Sequence, residues 1–159
     1  LDKEDDQRPY YANAYFLRWD WSSMVSLHFH ELRQMIRLTR SRLPADRDWA
    51  TFYLSQVNND SPLIRKALVE VAQEVHTDAA AEARLALAKR KDPRALGLVR
   101  KALSQRSIGI LDIRAAGELA HGSLIHLLRR HADSDFEPDL INQAIVACRT
   151  RNRAGEEFD

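Results

Sequence analysis

Apolar residues recur every three to four positions along most of this chain, and no long stretch alternates apolar with polar side chains. That periodicity predicts helices, and with only five glycines and five prolines in 159 residues there is little to interrupt them. Asp5 and Asp6 stand ahead of Pro9, which suits a first helical turn, so a helix is expected over 9–19. A second helix is expected from a cap at Ser22 or Ser23 to about Leu43, burying Val25, Phe29, Leu32, Ile36 and Leu43. From Asp46 a period of 31 residues appears. Set over one another, 49–62 and 80–93 align Ala50 with Ala81, Leu54 with Leu85 and Pro62 with Pro93. Each block reads as an Ala/Leu helix, a polar turn, and a proline opening the next helix. Helices are therefore expected over 62–75, 79–90 and 94–104, with no strand between Asp46 and Thr150. A weaker third copy, "DIRAAGELAHGSLIHLLRRHA", shortens the turn to "HGS", and "EPDLINQAIVACRTR" closes the series.

The segment "AEARLALAKRKDPRALGLVRKAL" (81–103) resembles the bacterial HEAT-like repeats first named from phycobilisome lyases. Glu82-Ala83, Leu87-Ala88, Asp92-Pro93 and Ala95-Leu96 carry the likeness, while Ala79-Ala80 stand where that family usually has Val-Arg. The resemblance covers residues 46–150. It implies an all-α fold, a short right-handed α-solenoid of about three to four HEAT-like helical pairs. Small alanines let neighbouring helices approach, and leucine and valine from adjacent pairs fill the space between. Such a pair is apolar on both sides and needs a stack, so the ends need covers.

Residues 9–45 supply one cover, a capping unit rich in rings. Six of the twelve aromatic residues fall within 9–24, and past Tyr53 only Phe136 and Phe158 remain. Tyr11, Tyr15, Phe16 and Trp19 lie on adjoining helical faces suited to burial. Tyr10 and Trp21, at the ends of the segment, are free to meet a partner. Residues 1–8 and 151–159 read as flexible acidic ends.

Charge sharpens the picture. The first six residues carry −3 and the last four −3, which leaves +7 on residues 7–155 within a net charge of +1. Such a body attracts acidic partners or phosphates. His30, Arg33, Arg37 and Arg40 fall along one face of the second helix, and "KRKDPR" (89–94) is a dense basic turn. Asp48, Thr51 and Glu82 complete the candidate partner contacts.

Catalytic and metal chemistry find little support. His28 and His30 are two apart and point to different sides of a helix, and His121, His126 and His131 are spaced by five and diverge. Cys148 falls on the stripe Ile141, Ala144, Ile145, Cys148, where a small core residue is expected. Neither a metal nor a cofactor is expected. No run is long enough for a membrane helix. The start "LDKEDDQRP" lacks a leader's basic and apolar regions, and the single cysteine fits a reducing compartment, so the expectation is a cytoplasmic protein.

The expected function is non-catalytic: a scaffold, adaptor or toxin-neutralising immunity protein that binds another protein on its concave surface. Nucleic-acid binding in a basic groove is the alternative. The resemblance also admits two enzyme classes: a bilin lyase, or a DNA-repair glycosylase using Trp19, Trp21, Trp49 and Asp48. The register itself is testable. Leu54→Ala and Leu85→Ala should each destabilise by about 2–5 kcal/mol in denaturant melts, and Arg40→Ala by no more than about 0.5 kcal/mol. Leucine variants that melt like Arg40→Ala would refute the alignment.

Overall fold

The structure, a computed structural model, describes residues 29–74, 77–132 and 136–156. The aromatic stretch 9–24 lies outside them, as do Val25 and His28. The described residues form helices α1 (Phe29–Leu38), α2 (Pro44–Gln56), α3 (Pro62–Ala72), α4 (Asp78–Lys89), α5 (Ala95–Leu103), α6 (Ile110–Leu119), α7 (Ile125–Ala132) and α8 (Pro138–Glu156), with a 3₁₀ turn at Gly122–Leu124 before α7. No strand occurs among the described residues. The fold is an all-helical, solenoid-like stack.

Each start has a local cause. Pro44, Pro62 and Pro138 open α2, α3 and α8, where a missing N–H costs nothing. The Ser61 hydroxyl accepts from the Ile64 N–H at 3.3 Å, and the Thr77 hydroxyl from the Ala80 N–H at 3.2 Å. At the end of α4 the Asp92 N–H reaches the Leu87 carbonyl and the Lys91 N–H the Ala88 carbonyl, both at 3.0 Å. Lys91 takes the left-handed conformation (φ 52°) that this paired closure requires.

α1 ends five residues earlier than the apolar pattern suggests. Pro44 forces Leu43 into extended backbone (φ −81°, ψ 120°), and the Thr39 hydroxyl donates to the Ile36 carbonyl at 2.8 Å as the chain leaves the helix. Leu43 is consequently 54% exposed rather than part of the buried stripe, whereas Leu32 is buried at 4%.

The helices fall into two rows. α2, α4, α6 and α8 pack side by side in sequence, and α1, α3, α5 and α7 lie against them as a second row. α4 touches α2, α3, α5 and α6. Eight of its twelve residues are buried, among them Ala79, Ala80, Ala83, Ala86 and Ala88, which gives the alanine richness its physical reason: side chains larger than a methyl would hold the neighbours apart. Leu54 and Leu85, equivalent in the repeat, are 0% and 6% exposed. Leu87 belongs to the core shared by α1–α5 and Leu85 to the core shared by α4–α8, so α4 joins the two. Cys148 is fully buried, its thiol 3.6 Å from the Ala116 carbonyl, and burial pushes its pKa up.

Within this apolar helix sits Arg84, 3% exposed. Its Nε and Nη2 donate to the two carboxylate oxygens of Asp112 at the start of α6 (2.6 and 3.2 Å). Its Nη1 donates to the Ala72 and Glu74 carbonyls, where α3 ends (3.1 and 2.9 Å). Removing one partner of a buried pair strands the other charge. Arg84→Met and Asp112→Leu should therefore each destabilise by about 3–5 kcal/mol, and the double variant by distinctly less than the sum. Additive losses in a double-mutant cycle would show that the two side chains do not depend on one another.

Candidate interaction surface

The predicted partner-contact residues divide between the two rows. His30, Arg33 and Arg37 on α1 and Arg40 in the turn after it are all exposed. Asp48, Thr51 and Glu82 sit on α2 and α4, in the other row, and the fold does not bring them to the arginines. Tyr10 and Trp21 lie outside the described residues.

Thr51 is a correction. It is 0% exposed, on the face of α2 that carries Ala50 and Leu54, and so cannot touch a partner. Glu82 is half-buried and accepts a short hydrogen bond from the Ser55 hydroxyl, which bridges α4 to α2. Asp48 is exposed; partial burial, and then the Asp78 carboxylate, push its pKa up, with Arg47 pulling the other way. Trp49 beside it is 46% exposed and packs edge-on against Phe52, ring centroids 6.1 Å apart. Trp49 and Asp48 thus stand on the α2 side, away from the basic face of α1.

The turn 89–94 is also not the open phosphate cradle its composition suggests. Arg90 turns inward, and its Nη2 donates to the Leu54 and Val57 carbonyls at 2.9 Å each, closing the end of α2. Asp92, 3% exposed, accepts from Arg94 Nε and Nη2 at 2.8 Å each, from the Arg94 N–H at 3.0 Å and from Arg65 Nη1 at 3.2 Å. Arg65 also grips Asp60 and the Arg90 carbonyl. Arg65 and Arg90 are thereby spent on joining repeats, while Arg94 braces its own turn.

The histidines likewise have separate surroundings. His121 Nδ1 accepts from the Ser123 N–H at 3.2 Å, His131 Nε2 is 3.0 Å from the Leu103 carbonyl, and His126 is exposed.

What remains outward is a surface the residue patterns only partly disclosed. In the α1/α3/α5/α7 row the exposed positions repeat at helical spacing: Arg33 and Arg37 on α1 with Arg40 just beyond it, Leu63, Lys66 and Glu70 on α3, Arg94, Gly97, Arg100 and Lys101 at α5, and His126, Arg129 and Arg130 on α7. Side chains link these helices across the surface. Arg40 donates twice to Glu70 (2.9 and 2.7 Å), Lys101 Nζ reaches the Gln73 carbonyl (3.4 Å), and Arg100 donates to the Ser123 hydroxyl (2.9 Å). The face is strongly basic, with Glu70 and Glu74 its exposed acids. The other row is mixed: Asp48, Asp78, Glu118 and Asp139 are exposed there beside Lys89, Arg114 and Arg149. Between α4, α6 and α8 that second face holds an open groove of about 490 Å³, floored by Leu85, Ile113 and Ala144 and edged by Lys89, Arg114 and Glu118.

Fold and surface together define an all-helical stacked protein with one basic broad face. No family model matches the chain. It is 30% identical over 99 residues to the protein YibA of Escherichia coli strain K12, and equally to that of strain O157:H7, over 62% of this chain and 35% of YibA. A crystal structure of E. coli YibA superposes with a TM-score of 0.62 and 27% identity, over 73% of this chain and 42% of that one. The chain thus spans little more than a third of the relative's length. No helix among the described residues is long and apolar enough to cross a membrane.

The Asp92 cluster has a pH signature. Its hydrogen bonds, those from Arg94 first, hold the Asp92 pKa down at about 2, against an ordinary value of 3.8. The folded state therefore favours the carboxylate, and the stability this contributes is present above about pH 4 and lost as pH falls towards 2. Asp92→Asn should be less stable at pH 7 and show a shallower loss between pH 4 and 2 in acid titrations followed by circular dichroism. An unchanged acid slope would count against the cluster as a source of acid sensitivity.

Proposed function

We propose that this chain is a non-catalytic interaction module, a stack of HEAT-like helical pairs that binds another protein on the outward face of the α1/α3/α5/α7 row. The observation that carries this reading is a division of labour among charges. Arg65, Arg84, Arg90, Asp92 and Asp112 are committed to bonds between helices. The basic residues of the outward face add little to the stack: Arg40 with Glu70, at 58% and 38% side-chain exposure, is the kind of surface pair worth about 0–1 kcal/mol. A broad charged face supported by a rigid stack suits recognition, and surface charge of one sign speeds encounter with a partner of the other.

Nucleic acid is the second reading, favoured by the same basic excess. Against it stand the exposed Leu63 and the exposed Glu70 within the face, which a phosphate backbone has no use for.

The test is charge reversal on each face. Arg37→Glu, Arg100→Glu and Arg130→Glu combined should leave the thermal midpoint nearly unchanged. They should weaken, by roughly tenfold or more, binding to a partner captured from the native host and identified by mass spectrometry. Arg114→Glu with Arg149→Glu, on the other row, should leave that binding intact. Equal loss from both sets, or binding that survives the first set, would refute this placement.

A further inference from the structure

Arg100 lies exposed in the last turn of α5. Its Nη2 donates to the Ser123 hydroxyl at 2.9 Å, in the turn that precedes α7. That hydroxyl is itself held, 2.8 Å from His121 Nδ1. Nδ1 also takes the Ser123 N–H at 3.2 Å, so it is an acceptor there. The hydroxyl therefore donates to the ring and offers its lone pairs to Arg100. The guanidinium is fixed from a second element of the row by a group that carries no charge.

This sets Arg100 apart from the other basic side chains of the face. Arg40 and Arg94 are fixed as well, but by the Glu70 and Asp92 carboxylates, which neutralise them. Lys101 reaches a neutral acceptor, the Gln73 carbonyl, yet at 3.4 Å and with a point charge on a flexible stem. Lys66, Arg129 and Arg130 are exposed side chains that a partner has to order as it binds. Ordering one long side chain at an interface weakens affinity by roughly two- to tenfold. In Arg100 the ordering is already done and the charge is intact.

We infer that Arg100 is the anchor of the partner contact, that it takes a carboxylate from an acidic segment of a partner protein, and that Ser123 and His121 are its positioning residues. The inference rests on the interaction reading above and adds to it the anchoring side chain and the chemistry of the partner. With one N–H on Ser123, the guanidinium keeps others in the planar fork that matches the two oxygens of a carboxylate. A single fixed fork beside a neutral hydroxyl suits one carboxylate. A nucleic acid presents an unbroken run of phosphates, which the exposed Glu70 and Glu74 of this face oppose.

The experiment titrates the full chain at low salt with a synthetic peptide of alanine and glutamate, followed by calorimetry, and separately with a duplex DNA of equal charge. Arg100→Gln should weaken the peptide by about tenfold, and Arg129→Gln by about twofold or less. Arg100→Lys keeps the charge and loses the fork, and should weaken it by about fivefold. Ser123→Ala removes no charge and keeps the N–H that His121 caps, yet should weaken it by about threefold. All four variants should melt within about 2 °C of the parent. Arg100→Gln that lowers the midpoint and leaves affinity unchanged would make the contact a strut between α5 and α7 and overturn the anchor. Equal losses from Arg100→Gln and Arg129→Gln, or undiminished binding by Ser123→Ala, would overturn it too, since the face would then act by summed charge. In either case loss of binding in the charge-reversed triple variant would still uphold the broader reading. DNA binding tighter than the peptide would overturn the acidic-protein assignment.

Discussion

α4 has a helix on every side, and most of the molecule's other features follow from that placement. A helix enclosed by α2, α3, α5 and α6 has almost no solvent face, so its residues must be small or apolar, and eight of the twelve are buried. The one long polar side chain it carries inside, Arg84, can be there because each of its three guanidinium nitrogens has an acceptor. Asp112 takes two N–H groups, and the carbonyls at the end of α3 take another. Those carbonyls have no partner within their own helix, so the arginine closes α3 as well as binding α6. Three successive units are tied at one point by geometry that a leucine could not supply. Net energy is a poor account of such a pair, because desolvation offsets much of the attraction. Fixing the angle at which α4 meets α6 is the better explanation of its presence.

The same logic extends outward through Arg90 and Asp92. Each lies at the end of α4 and reaches a different unit: Arg90 goes back to the end of α2, and Asp92 gathers Arg65 from α3 and Arg94 ahead of α5. Joints made of charged groups at helix ends leave the helix sides to apolar packing. A mixed population of charges results. Some are internal and fixed, and others, such as Lys66, Arg129 and Arg130, stand outside that network of joints. The basic face is what remains once the stack has taken the charges it needs.

How much of this the residues disclose depends on whether a feature repeats. The period of 31, read from Leu54 over Leu85 and Pro62 over Pro93, places α3, α4 and α5 within a few residues, because spacing alone encodes it. The end of α1 was harder to read: an apolar residue at 43 continues the stripe, yet Pro44 outweighs it. Thr51 looked available because a threonine is polar, and only packing shows it facing Leu54. Arg84 carried a weak signal, a lone charge in an alanine-rich helix with an aspartate at the start of the next first-row helix. Nothing in the spacing of 28 residues says that the two meet. The arginines of α1 were legible as a stripe. Their counterparts on α5 and α7 are not legible, because they lie on separate helices that only the stack brings to one face, and Arg90 of the basic turn at 89–94 proves to be structural.

Surface and stack are nearly independent in such an architecture, and this bears on the likeness to YibA. What the two chains share, at 27% identity over 73% of this one, is a course of helices. Each helix needs only its inward stripe and its end contacts to take its place, so outward residues can differ without disturbing a neighbour. A likeness of backbone therefore says little about what each surface meets. The residues able to distinguish them are those with no task in the stack, and on the outward face these include Lys66, Arg129 and Arg130, exposed side chains that the packing of the helices does not use.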